Sequence, residues 1–266
     1  MESLDLGDVV LHVADTGPKD APAVVFSNSL GTDFRLWDGI LPYLPEGLRV
    51  IRYDKRGHGL STCPPSPYTM GALIRDAERL LEALEVRDCV FVGLSIGGMI
   101  AQGLAAKRLD LIRAVVLSNT APKIGTREMW AERIAIAETE GTGPMADAIM
   151  QRWFSKEFRE GPQVSPWRRM VETTPGAGYA GCSAAIAGTD FYSTTAALRL
   201  PALVIGGTED GSTPPDLVRE LAGLIPGARF ELIRGAGHLP CVEKPEIFGP
   251  LLAGFLREIG HAGAGA

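Results

Sequence analysis

Cysteine is scarce. The 266-residue chain has four, Cys63, Cys89, Cys182 and Cys241, far apart and with no C-x-x-C pair. That spacing offers neither a metal site nor a disulfide framework, and reduced thiols in a cytoplasm fit it best. No run of Lys and Arg occurs, and 26 basic against 32 acidic residues leave a net charge of −6. The electrostatic footprint of a nucleic-acid binder is therefore missing, and no nucleic-acid partner is expected. Long apolar runs are missing too, since nothing approaches the ~18 residues that a membrane helix needs. The start, Met1-Glu2-Ser3-Leu4-Asp5, has neither the basic nor the apolar region of a secretory signal. The expectation is an unexported, cytoplasmic protein without a membrane partner; oligomeric state is not readable from these features.

What is present is the composition of an ordinary globular chain: 45% hydrophobic, 22% charged, 32 Gly and 19 Pro. That composition excludes disorder, and the length suits one large core. Short apolar runs recur at Ala23–Phe26, Arg49–Tyr53, Val90–Val92, Ala114–Leu117, Ala202–Ile205 and Arg229–Ile233. Runs that are apolar on successive residues suit strands covered on both faces, as in a parallel sheet. Val9–Ala14 is expected to add an outer strand. Met70, Leu73, Ala77, Leu80, Leu81 and Leu84 follow helical spacing. Together these predict an α/β fold with a mostly parallel twisted sheet flanked by helices.

The strand rhythm stops between residues 121 and 200, where helix-like pieces are punctuated by Gly and Pro. This predicts a helical cap at 121–200 inserted into a core made of 1–120 and 201–266. The insert holds Trp130, Trp153 and Trp167, three of the four tryptophans. Most of these rings are expected to be cap core. A cleft between cap and sheet is the expected ligand site. Fraying is expected from Ala262 onward.

Gly93-Leu94-Ser95-Ile96-Gly97 fits G-x-S-x-G, a modest signal alone in a chain with 32 glycines. Its context strengthens it: a strand run precedes it and a small-residue helix follows, the order a nucleophile elbow requires. A serine hydroxyl needs a base to accept its proton, so a histidine and an acid should follow in the order Ser, Asp/Glu, His. Asp210 lies past the strand Ala202–Ile205, with Glu209 as a rival, and His238 past Arg229–Ile233. Of the other histidines, His12 sits in the first strand, His58 in the Arg56-Gly57-His58-Gly59 turn, and His261 in the tail. The oxyanion donors expected in this arrangement are the N–H groups of Ile96 and of Leu30, the latter in Ser27-Asn28-Ser29-Leu30-Gly31.

These residues resemble the α/β-hydrolase fold family, and more narrowly the 3-oxoadipate enol-lactonases. The broad resemblance rests on Asp54-Lys55-Arg56-Gly57-His58-Gly59-Leu60-Ser61, Gly93–Gly98, the Asp210 loop and Gly237-His238. The narrow one rests on Ser27–Gly31, Ser118–Thr126 with Trp130, Arg152-Trp153-Phe154 and Gly178–Ile186. Two segments depart from it: Ala187-Gly188 stands where a charged pair is usual, and Pro240-Cys241 where Ser-Asn is frequent. The resemblance implies a cofactor-free carboxylic ester hydrolase, with no metal, that opens a small carboxylate-bearing enol-lactone through a Ser95 acyl-enzyme. Arg133 and Arg152, with the indole N–H of Trp130 or Trp153, are the candidates to hold the substrate carboxylate. The insert balances nine Lys/Arg with nine Asp/Glu, so it is neutral while the remainder carries the whole −6. The same triad would also serve a carboxylesterase, another lactonase or a C–C hydrolase. A ligand receptor without turnover is the alternative from another class. Dehalogenase and epoxide-hydrolase chemistries would place an aspartate at Ser95.

Overall fold

The computed structural model describes residues 2–263. The chain forms strands β1 (Glu2–Asp5), β2 (Val10–Thr16), β3 (Ala23–Ser27), β4 (Arg49–Tyr53), β5 (Cys89–Leu94), β6 (Ile112–Ser118), β7 (Ala202–Gly207) and β8 (Arg229–Ile233). They make one sheet in the order β1-β2-β4-β3-β5-β6-β7-β8. The β1/β2 and β2/β4 pairs are antiparallel, and every other pair is parallel. β3, β5 and β7 are buried at every position, as strands covered on both faces must be. The expected outer strand is β2, and it is not outermost. β1 lies beyond it and went unforeseen, because Glu-Ser-Leu-Asp carries neither a β-branched nor an aromatic residue.

Helices α1 (Met70–Ala83) and α2 (Ile96–Lys107) follow β4 and β5. Thr69 caps α1 by accepting the Ala72 N–H at 3.1 Å, and α1 buries the apolar face that the spacing predicts. Among the described residues only helical elements lie between β6 and β7: α3 (Arg127–Glu140), α4 (Ala146–Trp153), α5 (Lys156–Glu160), α6 (Ser165–Glu172), α7 (Gly176–Ala187) and α8 (Tyr192–Ala196), with two short 3-10 turns. α9 (Pro215–Leu224) separates β7 from β8, and α10 (Pro240–Glu243) and α11 (Pro245–Glu258) follow β8.

At the C-terminal end Ala262 is buried and donates to the Leu256 carbonyl at 3.2 Å, so fraying does not begin there. Residues 264–266 of the expected frayed tail lie outside the described residues. No helix among the described residues is long and apolar enough to cross a membrane. The parallel strands β3, β5, β6, β7 and β8 end at one rim. Loops leaving that rim carry Leu30, Ser95, Asn119, Asp210 and His238, where open α/β sheets gather ligand groups.

Candidate active site

Ser95 occupies the single residue between β5 and α2, at φ 58° and ψ −118°. That conformation costs a non-glycine residue about 1–3 kcal/mol, and the surroundings hold it in place. The Ser95 N–H donates to the Ser118 carbonyl at 3.0 Å, and its own carbonyl accepts from Thr120 Oγ1 at 2.7 Å. A Cβ on Gly93 would strike the Gly97 carbonyl, and one on Gly97 would strike the Ser27 carbonyl. The two flanking glycines are thus required by the closeness of strand, turn and helix.

Asp210 and His238 meet behind this turn. His238 Nδ1 lies 2.9 Å from Asp210 Oδ2 and 3.1 Å from Oδ1. Three further donors surround the carboxylate: the Ser212 and Thr213 N–H groups on Oδ1, at 2.7 and 2.9 Å, and Thr213 Oγ1 on Oδ2 at 2.7 Å. Asn119, at φ 46°, adds a fourth with Nδ2 at 2.8 Å from Oδ2. Burial pushes the Asp210 carboxyl up, but His238 and these hydrogen bonds more than offset it and hold the group below the usual 3.8. Glu209, the rival acid, is exposed, and only its backbone is engaged, donating to the Ala236 carbonyl. With Asp210 bound to Nδ1, Nε2 is the imidazole nitrogen left for another partner. No hydrogen bond joins that ring to the Ser95 hydroxyl here; both side chains line one cavity of about 140 Å³.

That cavity is walled by Ser29 and Leu30 from the loop after β3, and by Met129, Trp130, Arg133, Arg152, Trp153 and Tyr179 from the helices between β6 and β7. Both arginines nominated from sequence are present, and among the described residues neither is ion-paired, although 22 salt bridges link other side chains there. Arg133 lies over the Trp130 ring at 4.8 Å, and its guanidinium also approaches the Met129 sulfur at 3.9 Å and the Tyr179 hydroxyl. Burial and then the like charge of Arg133 lower the Arg152 pKa, and burial raises that of Tyr179 against the pull of both arginines. The Trp130 indole is corrected as a carboxylate donor: its N–H is taken by the Ile124 carbonyl at 2.6 Å, so it serves as wall and platform. The Trp153 indole N–H donates to no group among the described residues, and the same holds for the Leu30 and Ile96 backbone N–H groups. No cluster of side chains suited to a metal ion occurs among the described residues.

The helical segment is tied to the loops at the rim. The His238 N–H donates to the Trp153 carbonyl at 2.7 Å and the Gly211 N–H to the Arg152 carbonyl at 3.1 Å. Glu243 accepts from the Gly237 and Ser155 N–H groups, at 2.7 and 3.1 Å.

Comparison with known proteins agrees with this architecture. The alpha/beta hydrolase fold family profile matches residues 22–245. The chain belongs to the α/β-hydrolase fold family. Among curated relatives of this α/β hydrolase is 3-oxoadipate enol-lactonase 2 of Acinetobacter baylyi, 34% identical over 93% of both chains. Among solved structures, the enol-lactonase from Burkholderia xenovorans is 37% identical, with a TM-score of 0.93 over 96% of this chain and all of the other. A thermophilic esterase from Thermogutta terrifontis, solved with malate bound, is 29% identical, with a TM-score of 0.91 over 97% of this chain and 99% of the other.

In this α/β hydrolase, sequence reasoning missed Asn119, Thr213 and Tyr179 as parts of the site. Asn119 follows directly on β6, at a strand end like Asp210 and His238, and that position was the available signal. Tyr179 lies in the Gly178–Ile186 segment on which the narrow resemblance rests, whereas Thr213 carried no comparable mark.

Proposed function

We propose that the protein opens 3-oxoadipate enol-lactone to 3-oxoadipate through an acyl-enzyme on Ser95. The reading is carried by one observation: two guanidinium groups without a carboxylate partner among the described residues line the same small cavity as Ser95 and His238. Bringing like charges together in a partly buried space is unfavourable, and a substrate carboxylate relieves it with charge-assisted hydrogen bonds. Relatives named as 3-oxoadipate enol-lactonases support the choice of lactone.

In this mechanism Ser95 Oγ attacks the lactone carbonyl and His238 Nε2 takes its proton. Asp210 holds the imidazole in the tautomer with the proton on Nδ1 and stabilises the imidazolium. The Leu30 and Ile96 N–H groups donate to the tetrahedral oxyanion. Ring opening expels an enolate oxygen that stays tethered to the acyl group; the proton held by His238 passes to the enolate, which becomes a ketone and leaves the imidazole neutral. An enolate leaves more readily than an alkoxide, which lightens the acid work asked of His238. Water activated by His238 then releases the dicarboxylate. The helical segment 121–200 acts as a cap that supplies the carboxylate-binding side chains.

Steady-state turnover of the enol-lactone, set against a neutral ester of similar size, tests the reading. Ser95→Ala should abolish both activities. Arg133→Ala and Arg152→Ala should each lower kcat/KM for the lactone about 10- to 100-fold, the range of one charge-assisted hydrogen bond, and spare the neutral ester. Equal losses on both substrates would remove the carboxylate-binding role and leave a general ester hydrolase.

A further inference from the structure

The Asp54–Ser61 segment contributes nothing to the cavity wall, yet it holds two buried titratable groups directly behind the Ser29-Leu30-Gly31 loop. Lys55 is wholly buried, and its Nζ donates to the Ser29 carbonyl at 2.6 Å. His58 is also wholly buried, and its Nε2 accepts the Gly31 N–H at 2.9 Å. His58 Nδ1 therefore carries the ring proton, facing the Arg56 carbonyl at 3.3 Å. Two successive peptide groups of the loop are thus gripped from one side by one turn of chain.

The Ser29 carbonyl and the Leu30 N–H belong to the same peptide group. In a trans peptide these two bonds point in opposite directions. A cation that draws the carbonyl toward the β4 side therefore turns the N–H toward the cavity, where Ser29 and Leu30 form part of the wall. Electron density drawn onto the oxygen also leaves the N–H a stronger donor, by the polarisation that runs along chained hydrogen bonds. A buried ammonium is unfavourable, and its closest partner here is a neutral carbonyl rather than a carboxylate. Such an arrangement has no evident value for the fold, since methionine would fill the same space.

We infer that Lys55 is a positioning residue for ester hydrolysis: through the Ser29 carbonyl it orients and polarises the Leu30 N–H as an oxyanion donor, with His58 fixing the next peptide. The inference rests on the Ser95 acyl-enzyme reading above and adds the origin of one oxyanion donor.

The test compares Lys55→Met, Lys55→Gln and Ser95→Ala with the native protein, using a neutral p-nitrophenyl ester and a boronic acid that forms a tetrahedral adduct with an active serine. Lys55→Met should lower kcat about 10- to 100-fold with KM nearly unchanged, somewhat less than outright loss of an oxyanion donor. Boronate affinity should fall by a similar factor, while binding of the planar carboxylic acid product stays the same. Lys55→Gln, which keeps a neutral donor, should recover part of both losses and stands in if the methionine variant does not fold. A folded lysine variant that keeps native kcat and boronate affinity, while Ser95→Ala is inactive, overturns the role of Lys55 alone. Activity surviving in Ser95→Ala overturns the underlying reading instead.

Discussion

The carboxylate of Asp210 is the most heavily hydrogen-bonded group at the rim, with Ser212, Thr213, Asn119 and His238 all directed at it. An amide in its place keeps the shape but presents hydrogen to donors already aimed at oxygen, and it favours the wrong imidazole tautomer. Asp210→Asn should therefore stay folded by circular dichroism and lose about 10⁴ in kcat. A loss below tenfold would mean that His238 is oriented by something else. Lys55 allows a separate check through pH. Burial lowers it from 10.5 to about 8, against the pull of Cys182, Asp54 and Asp33. Between those two values the unfolded chain holds the extra proton, so this group makes stability rise with pH across that window. Below about pH 8 both states are charged, and the folded state bears the full cost of burial. The native protein should consequently gain on Lys55→Met as pH rises from 8 to about 10.5, with groups distant from Lys55 cancelling in the comparison. Urea midpoints for the pair at pH 7 and pH 9.5 measure this, and a constant gap would mean that the amine is not titrating there.

At the scale of elements, the contact between β5, the Ser95 turn and α2 decides where the hydroxyl stands. Gly97→Ala would drive a methyl group into the Ser27 carbonyl, backbone that cannot step aside, and should destabilise by about 2 kcal/mol or more. Gly254 in α11 meets nothing within 4 Å, so Gly254→Ala should instead stabilise by about 0.5–1 kcal/mol through helix propensity. Thermal unfolding of the two variants tests whether backbone approach, rather than glycine content, constrains the elbow. This part of the fold was readable in advance, because a buried strand, G-x-S-x-G and a small-residue helix each demand the same strand-turn-helix geometry. β4 and β8 likewise keep the bounds that their runs suggest, since each is written in residues that favour strands, Val50, Ile51 and Tyr53 in β4 and Phe230 and Ile233 in β8. β1 was unreadable because its pairing with β2 comes from adjacency across a short turn and not from its own residues. Lys55 was unreadable for another reason. A lysine inside a glycine-rich turn looks solvated, and only the tertiary fold buries it against Ser29. Arg133 and Arg152 were reachable as candidates, but their lack of carboxylate partners emerges only when α3 and α4 face the same cavity.

At the scale of the molecule, charge and stability are linked through that cavity. The protein as a whole is anionic at −6, whereas segment 121–200 is neutral and directs two cations inward. General attraction of anions is therefore absent, and any preference for them has to come from the arginine pair over distances shorter than the ~8 Å screening length. An anion that bridges the pair binds the folded state alone, so it should raise stability by mass action. Adipate, a dicarboxylate without a scissile bond, isolates this effect from turnover. At a concentration one hundred times its Kd it should add about 2.7 kcal/mol, which raises the Tm of a chain this size by several degrees. Ser95→Ala should show the same rise, because its hydroxyl takes no part in holding the carboxylates. The double variant Arg133→Ala/Arg152→Ala should lose the rise, and without ligand should be no less stable than the native protein, having shed two mutually repelling charges. Adipamide, of equal length and no charge, should produce little shift in any of the three. If adipate and adipamide stabilise the native protein equally, or if the double variant keeps its adipate response, the cavity is selecting shape and not charge, and a neutral ester becomes the better substrate assignment.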